Sequence, residues 1–346
     1  MKFSPALRLR LDGEALAANW TSMAQLSGTA ETGAAVKADA YGLGARAVVP
    51  RLWKAGCREY FVAHWGEAEA IADLVPAARI AVLNGITEAD IAPALQLGAI
   101  PVLNTPHQIA LWKAAGGGRC HVMLDSGMNR LGIGAEQISS TDMASLQIDL
   151  LLSHLASADE DVAQNRDQLE TFIAMAEGLR PRRKSLANSA GIALGPDYHF
   201  DLTRPGLALY GGVASTGLTG KVRQTVFPQA CVLQTRTIRA GARIGYNATY
   251  VAPVDMRTAT LAIGYADGYL RGFSNSGTVH FQGIPMPVVG RVSMDLLIVD
   301  ATNCPQLAEG DWVDIDFELS AASTASAVSQ YELLTTLGKR AGRRWE

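Results

Sequence analysis

Long apolar runs are missing from this chain. No stretch approaches the ~20 residues a membrane span needs, and Met1-Lys2-Phe3-Ser4-Pro5 lacks the basic-then-apolar pattern of a secretory signal. Cysteine is scarce: Cys57, Cys120, Cys231 and Cys304 lie far apart, with no CxxC or other zinc-like spacing. No metal site is therefore expected, and the thiols read as reduced side chains of a cytoplasmic protein. An excess of one charge is lacking too. Thirty basic residues against 33 acidic ones leave a formal net charge of -3, which gives no electrostatic reason for a nucleic-acid or anionic-membrane partner. The one basic cluster, Lys339–Arg344, reads as a solvated tail. Neither a GxSxG elbow nor a HExxH pair occurs, so an unrelated barrel hydrolase has little support.

What the first two-thirds do contain is alternation between short apolar runs and longer amphipathic stretches. Candidate strands are Ala34–Lys37, Tyr60–His64, Arg79–Leu83, Ile100–Leu103, Cys120–Asp125, Ile148–His154, Lys184–Asn188 and Gly206–Tyr210. Helix-like segments such as Trp65–Leu74, Glu88–Leu97, Pro106–Ala115 and Asp161–Gly178 separate most of them. In the Trp65 segment, Ala68, Ile71, Ala72 and Leu74 form the apolar face while Glu67, Glu69 and Asp73 fill the polar one. Eight buried strands separated by helices predict an α/β fold of the (β/α)8 barrel type, with a doubly wound open sheet as runner-up.

The texture changes near residue 222. Ala230–Ile238, Ala259–Ile263, Thr278–Gln282 and Trp312–Phe317 alternate in polarity and are linked by Gly- and Pro-containing turns, which predicts an all-β C-terminal domain. Leu7-Arg8-Leu9-Arg10-Leu11 alternates strictly and is suited to join it. The expected division is an N-terminal strand over residues 1–10, a barrel over 11–221 and a β-rich domain over 222–346.

Lys37 carries the most chemical information. It ends the apolar run Ala34-Ala35-Val36, where a buried charge needs a partner or a lowered pKa. Barrel enzymes place reactive groups at the C-terminal ends of their strands, and a lysine able to lose its proton can bond to the carbon of an aldehyde cofactor. A lysine snorkelling to the barrel rim is an equally good reading of this residue alone. Arg130, His154 and Ser189 each have an ordinary structural explanation, a surface ion pair, a satisfied core histidine and a helix cap, and Arg204 stands with them. All of them fall at the same strand ends, and that agreement favours a site.

Ala35-Val36-Lys37-Ala38-Asp39-Ala40-Tyr41-Gly42 resembles the pyridoxal-phosphate (PLP) attachment motif of alanine racemases. The resemblance runs in order through Asp125–Gly132, His154, Ala187–Ala190, Arg204-Pro205-Gly206, Leu209-Tyr210-Gly211, Gly245–Tyr250, Ile263–Tyr269, Gly290–Asp295 and Tyr331–Leu334. It implies an amino-acid racemase of the PLP barrel class, a homodimer acting on L- and D-alanine. Lys37 would hold the cofactor covalently and act as base on one face of the substrate Cα, and Tyr246 from the partner subunit would act on the other. Tyr41, Ser189, Tyr331 and the amides of Gly206 and Leu207 would hold the phosphate, with Asn188 beside them. Arg204 would meet the pyridine nitrogen, and His154 would lie against the ring. Arg130 and the Met294 backbone would receive the substrate carboxylate, and Tyr265 would line the entrance. The family also implies D-alanine supply for peptidoglycan.

Two positions depart from the family pattern. Met123 stands where many members carry a carbamylated lysine that braces the substrate-binding arginine, so either a bound chloride or a nearby carboxylate takes over beside Arg130, or Arg130 is held less firmly. Ser293 replaces a cysteine, with no functional weight attached. Three alternatives remain open: a broad-specificity racemase, a PLP decarboxylase with a carboxylate at the pyridine nitrogen, and a non-catalytic PLP-homeostasis protein, which would generally lack the second domain.

Overall fold

The computed structural model describes residues 4–346. They divide into two compact units, Leu16–Arg223 and the described residues up to Ala15 together with Gln224–Glu346.

In the first unit, seven short strands form one parallel sheet in chain order: Ala34–Ala35, Tyr60–Val62, Ile80–Val82, Ile100–Leu103, Arg119–Met123, Gln147–Leu152 and Arg183–Ser185. Tyr60–Val62, Ile80–Val82 and Ile100–Leu103 are buried at every position. Apolar runs of this kind, without alternation, mark parallel strands covered on both faces. An eighth strand, Leu202–Thr203, closes the ring. It pairs in parallel with Glu31–Thr32, and the Ala35 amide donates to Pro205 O at 2.9 Å. On its other side the amides of Asp201 and Arg204 donate to Lys184 O (3.0 Å) and Ala187 O (2.9 Å). The fold is the expected (β/α)8 barrel with a β-rich second unit.

The eighth strand is not Gly206–Tyr210. Leu207–Tyr210 is a 3-10 turn, fully buried, with the Tyr210 hydroxyl donating to Ala35 O at 2.8 Å. Pro205 removes the next ladder amide, and burial of the turn gives it the apolar look of a strand. The Trp65 helix is also shorter than its polarity pattern, ending at Glu69.

In the second unit the long strand Val226–Ile238 is central. It pairs antiparallel with Leu7–Leu11, Met256–Leu261 and Trp312–Ile315. Leu7, Leu9 and Leu11 turn inward from the alternating strand, as period-two spacing requires. The basic C-terminus is no tail: Gly342–Trp345 is a strand parallel to Leu7–Leu11. No helix among the described residues is long and apolar enough to cross a membrane.

Candidate active site

The barrel strands deliver Lys37, Asp125, His154, Asn188 and Arg204 just beyond their C-terminal ends. After Lys37 the chain makes a turn of the wrong hand. Ala38, Asp39, Ala40 and Tyr41 all sit near φ +54°, a conformation costing non-glycine residues about 1–2 kcal/mol each. Several bonds hold it in place. Glu67 accepts the amides of Ala38 and Ala63, both at 2.7 Å, and Asp39 accepts the Ala45 amide at 2.7 Å. Gly42 donates to Ala38 O at 2.9 Å. The turn leaves Lys37 at the rim and folds Tyr41 inward, stacked on Tyr210 with ring centroids 4.7 Å apart.

The groups around Lys37 are mostly cationic. Burial lowers its pKa, Arg130 and Arg204 lower it further, and Glu67 opposes them. Burial, with Arg204, Arg130 and Lys37 nearby, pushes His154 down to about 3. These four groups therefore share one electrostatic neighbourhood, as their positions on the strand ends suggested. Arg204 is buried and pushed down to about 10 by burial. Its bonds are to neutral groups: Ser185 Oγ, Ser153 O at 2.6 Å and Leu186 O at 3.4 Å. No carboxylate lies within 4.0 Å of it among the described residues. Ser185 Oγ in turn donates to Leu202 O at 2.5 Å.

Beside this cluster, Ser189 Oγ accepts the amides of Gly206 (2.9 Å) and Ala208 (3.2 Å). Asn188 Oδ1 accepts the Gly191 amide at 2.9 Å, so Asn188 caps the helix that Ser189 begins. A Cβ at Gly206 would fall on Tyr41 Oη and lie 3.0 Å from Cζ; only glycine leaves room there. Leu207 begins the 3-10 turn that follows and is buried. Hydroxyls and amides gathered in this way suit a phosphate group.

Arg130 is exposed on a loop folded around Asp125. Asp125 Oδ1 accepts the amides of Gly127, Met128 and Asn129 at 2.9–3.0 Å. The Ile133 amide returns to Met123 O at 2.9 Å. Gly132 permits the close return, since a Cβ would lie 2.7 Å from Asp125 N. Among the described residues no carboxylate comes within 4.0 Å of Arg130, so the carboxylate expected to replace the missing anion at Met123 is absent from this structure.

The other predicted residues belong to the β-rich unit. Tyr246 lies on the turn after Gly245 and is 68% exposed. Tyr265 and Met294 sit on adjoining turns, with the amides of Tyr265 and Ala266 donating to Ser293 O (3.1 Å) and Met294 O (3.0 Å). The Arg271 guanidinium lies 4.9 Å from the Tyr265 ring centroid. Tyr331 is on the helix Gln330–Thr335, whose start Ser329 and Glu332 cap reciprocally.

Sequence reasoning missed the roles of Glu67 and Ser185, and gave Ser153 and Tyr210 a place at the strand ends and in the resemblance without a role. Glu67 was assigned to a solvent face, and its place in the first turn after a strand end was the available signal. The roles of the other three carry no signal beyond polarity in an apolar run.

Residues 11–214 match the alanine racemase N-terminal domain model and residues 226–345 the alanine racemase C-terminal domain model. Alanine racemase of Rhizobium meliloti is 38% identical, over 99% of this chain and 97% of its own length. That of Rhodospirillum rubrum is 41% identical, over 97% and 95%. The crystal structure of Bartonella henselae alanine racemase with covalently bound pyridoxal phosphate superposes with a TM-score of 0.92 at 37% identity, covering 98% of this chain and 99% of that one. The biosynthetic enzyme of Pseudomonas aeruginosa gives 0.91 at 31%, over 99% and 100%. Two domain models, full-length relatives and a shared architecture agree: the chain belongs to the alanine racemase family.

Proposed function

We propose that this chain interconverts L-alanine and D-alanine with pyridoxal 5'-phosphate bound at Lys37, working as a cytoplasmic homodimer that supplies D-alanine for peptidoglycan. In this reading residues 11–221 hold the cofactor. Residues 222–346, joined by the N-terminal strand over 1–10, face the substrate. The observation that carries the proposal is a lysine of lowered pKa at a barrel-strand end, sharing its surroundings with Arg130, His154 and Arg204.

The cradle fits the cofactor. Tyr41, Ser189, Tyr331 and the backbone around Gly206 and Leu207 would hold its phosphate, and Arg204 would meet its ring nitrogen, with His154 and Asn188 alongside. When bound, the cofactor supplies an electron sink next to the substrate Cα. Lys37 Nζ, whose hold on a proton is weakened by burial and two arginines, would take or return the Cα proton on one face. Tyr246 of the partner subunit serves the opposite face, so no single base has to move. Tyr246 is exposed, as are Val251, Val254, Met294 and Leu296, and apolar exposure of this kind supports a second copy covering that surface. Arg130 and the Met294 amide receive the carboxylate, and Tyr265 lines the approach. Arg204 has no carboxylate partner within 4.0 Å among the described residues and cannot readily give up a proton. It would therefore donate a hydrogen bond to the ring nitrogen without protonating it, which would favour racemisation over decarboxylation or transamination.

Holoprotein incubated with L-alanine in heavy water should exchange its Cα proton and accumulate D-alanine. Borohydride reduction should fix the cofactor on Lys37. Parallel turnover of serine, lysine and arginine distinguishes a broad-specificity racemase. Bound cofactor with neither deuterium uptake nor D-alanine would defeat the assignment.

A further inference from the structure

We infer that Arg340 is a positioning residue, clamping the turn that carries Tyr265 to the turn that carries Met294 and so setting the substrate-facing edge of the β-rich unit. The inference rests on the racemase reading for the roles of those two residues; the clamp itself rests on geometry. Arg340 Nε donates to Asp267 Oδ1 at 2.9 Å and Nη1 donates to Asp295 Oδ1 at 2.7 Å. One planar guanidinium thus joins two carboxylates on two different turns, one placed two residues after Tyr265 and the other directly after Met294.

The buried end is Asp267. Its Oδ2 accepts the Gly264 amide at 3.1 Å, and its carbonyl accepts the Gly338 amide at 3.0 Å. A Cβ at Gly338 would lie 2.9 Å from Ala266 O, so the segment leading to Arg340 packs directly on the Tyr265 turn. That segment leaves the helix bearing Tyr331. Tyr265, Met294 and the base of the Tyr331 helix are therefore held through one side chain and its neighbours.

A peptide plane shows why this matters. The Met294 N–H belongs to the Ser293–Met294 peptide, whose carbonyl accepts the Tyr265 amide at 3.1 Å. In a planar trans peptide the N–H points away from the C=O, so holding the two turns together fixes where the Met294 N–H aims. The Asp295 arm is half exposed at both ends, and such arms contribute little to stability. Its effect is alignment. A lysine at 340 would keep the charge but could not reach both carboxylates in one plane.

The test uses the full-length holoenzyme with Arg340→Lys and Asp295→Asn, each compared with Arg239→Ala, which breaks an exposed ion pair to Asp255 in the same unit. Hydrogen exchange is read at the Tyr265 and Ala266 amides, and KM and kcat are read with L-alanine. The clamp predicts roughly tenfold faster exchange at those two amides in Arg340→Lys, which disturbs both arms, and a roughly threefold increase in Asp295→Asn, which weakens the exposed arm alone. It also predicts a KM raised roughly tenfold with kcat within about twofold, the pattern of lost substrate binding. Arg239→Ala should match wild type in both readouts. Unchanged exchange overturns the clamp whatever the activity. Faster exchange with wild-type KM overturns the positioning role while leaving the racemase assignment intact. A wild-type protein that binds cofactor and does not racemise defeats the assignment, and with it the positioning role, by a separate observation.

Discussion

Gly264→Ala tests how closely the Tyr265 and Met294 turns must approach. Gly264 has φ -157° and ψ -166°, an extended conformation open to any residue, so alanine pays no backbone penalty there. The cost is steric. The new Cβ would press on the carbonyl oxygens of Ser293 and Met294 and lie 2.5 Å from the Met294 carbonyl carbon. Carbon atoms settle at about 3.5–4.0 Å, so the turns must part by about 1 Å, and backbone cannot rotate aside as a flexible side chain can. The Tyr265 and Ala266 bonds at 3.1 and 3.0 Å would stretch beyond hydrogen-bond range. Overpacking costs about 1–3 kcal/mol and the two lost bonds about 0.5–1.5 kcal/mol each. Together they come to about 2–6 kcal/mol. At about 2–4 °C per kcal/mol, the apoprotein should melt at least ~4 °C below wild type, and in the holoenzyme KM for alanine should rise. Gly283→Ala is the contrast, because nothing lies within 4 Å of its added Cβ but φ is +83°. It should cost only about 1–2 kcal/mol of backbone strain and leave KM alone. A Gly264→Ala protein with wild-type melting and KM would refute the close-approach argument.

Tyr246→Phe should lower kcat by about 10²–10⁴, the usual worth of a positioned proton-transfer group, with melting little changed because the ring is kept and only the hydroxyl is lost; undiminished racemisation would remove the second base. Ser185→Ala strands a buried Arg204 donor and should cost about 1–3 kcal/mol, with weaker cofactor retention measured by dialysis and absorbance; full retention would show that Arg204 needs no such support. His121 is buried with neither ring nitrogen hydrogen-bonded, and burial pushes it from 6.5 down to about 3. Its neutral form is the folded one, so the unfolded chain takes up the proton first as the pH falls. Stability is full above about 6.5 and lost toward about 3, at about 1.4 kcal/mol per pH unit. Burial pushes His154 into the same range, so urea unfolding of the apoprotein from pH 7 to 5 should show that slope from each of the two histidines, and His121→Leu should remove about half of the total; an unchanged slope in the variant would put the titration elsewhere.

The barrel was legible because each strand is a short apolar run followed by a helix, a pattern that survives without knowledge of pairing. The eighth strand was misplaced for a physical reason: a buried 3-10 turn and a buried strand present the same apolar residues, and only the hydrogen bonds of Asp201 and Arg204 distinguish them. Lys37 stood out as a charge ending an apolar run. The left-handed turn after it did not, since Ala38 and Ala40 have no propensity for positive φ and a lone Asp39 between them is too weak a signal. The turn is held in part by Glu67, 29 positions away in the chain from Ala38. Arg340 was read as part of a solvated tail because sequence shows a basic cluster but not the buried Asp267 that receives it.

The carboxylates and cations around Lys37 are divided by task. Glu67 spends both oxygens on the amides of Ala38 and Ala63. Asp39 holds the Ala45 amide, and Asp125 gathers three amides of the Arg130 loop. The negative groups thus fix backbone, and Arg130 and Arg204 are left without ion-pair partners within 4.0 Å among the described residues. A buried, unpaired cation is costly, and the fold bears that cost at Arg204, where the ring nitrogen is proposed to arrive, while the exposed Arg130 is left for the substrate carboxylate. The same imbalance holds Lys37 toward its neutral form. Adding a carboxylate close to Arg204 would therefore do more than compete for the ligand, because it would raise the lysine's proton affinity and weaken the base. Strain in the turn, the spent carboxylates and the uncompensated arginines are parts of a single arrangement, in which the protein supplies positive charge and geometry and leaves the negative charge to its ligands.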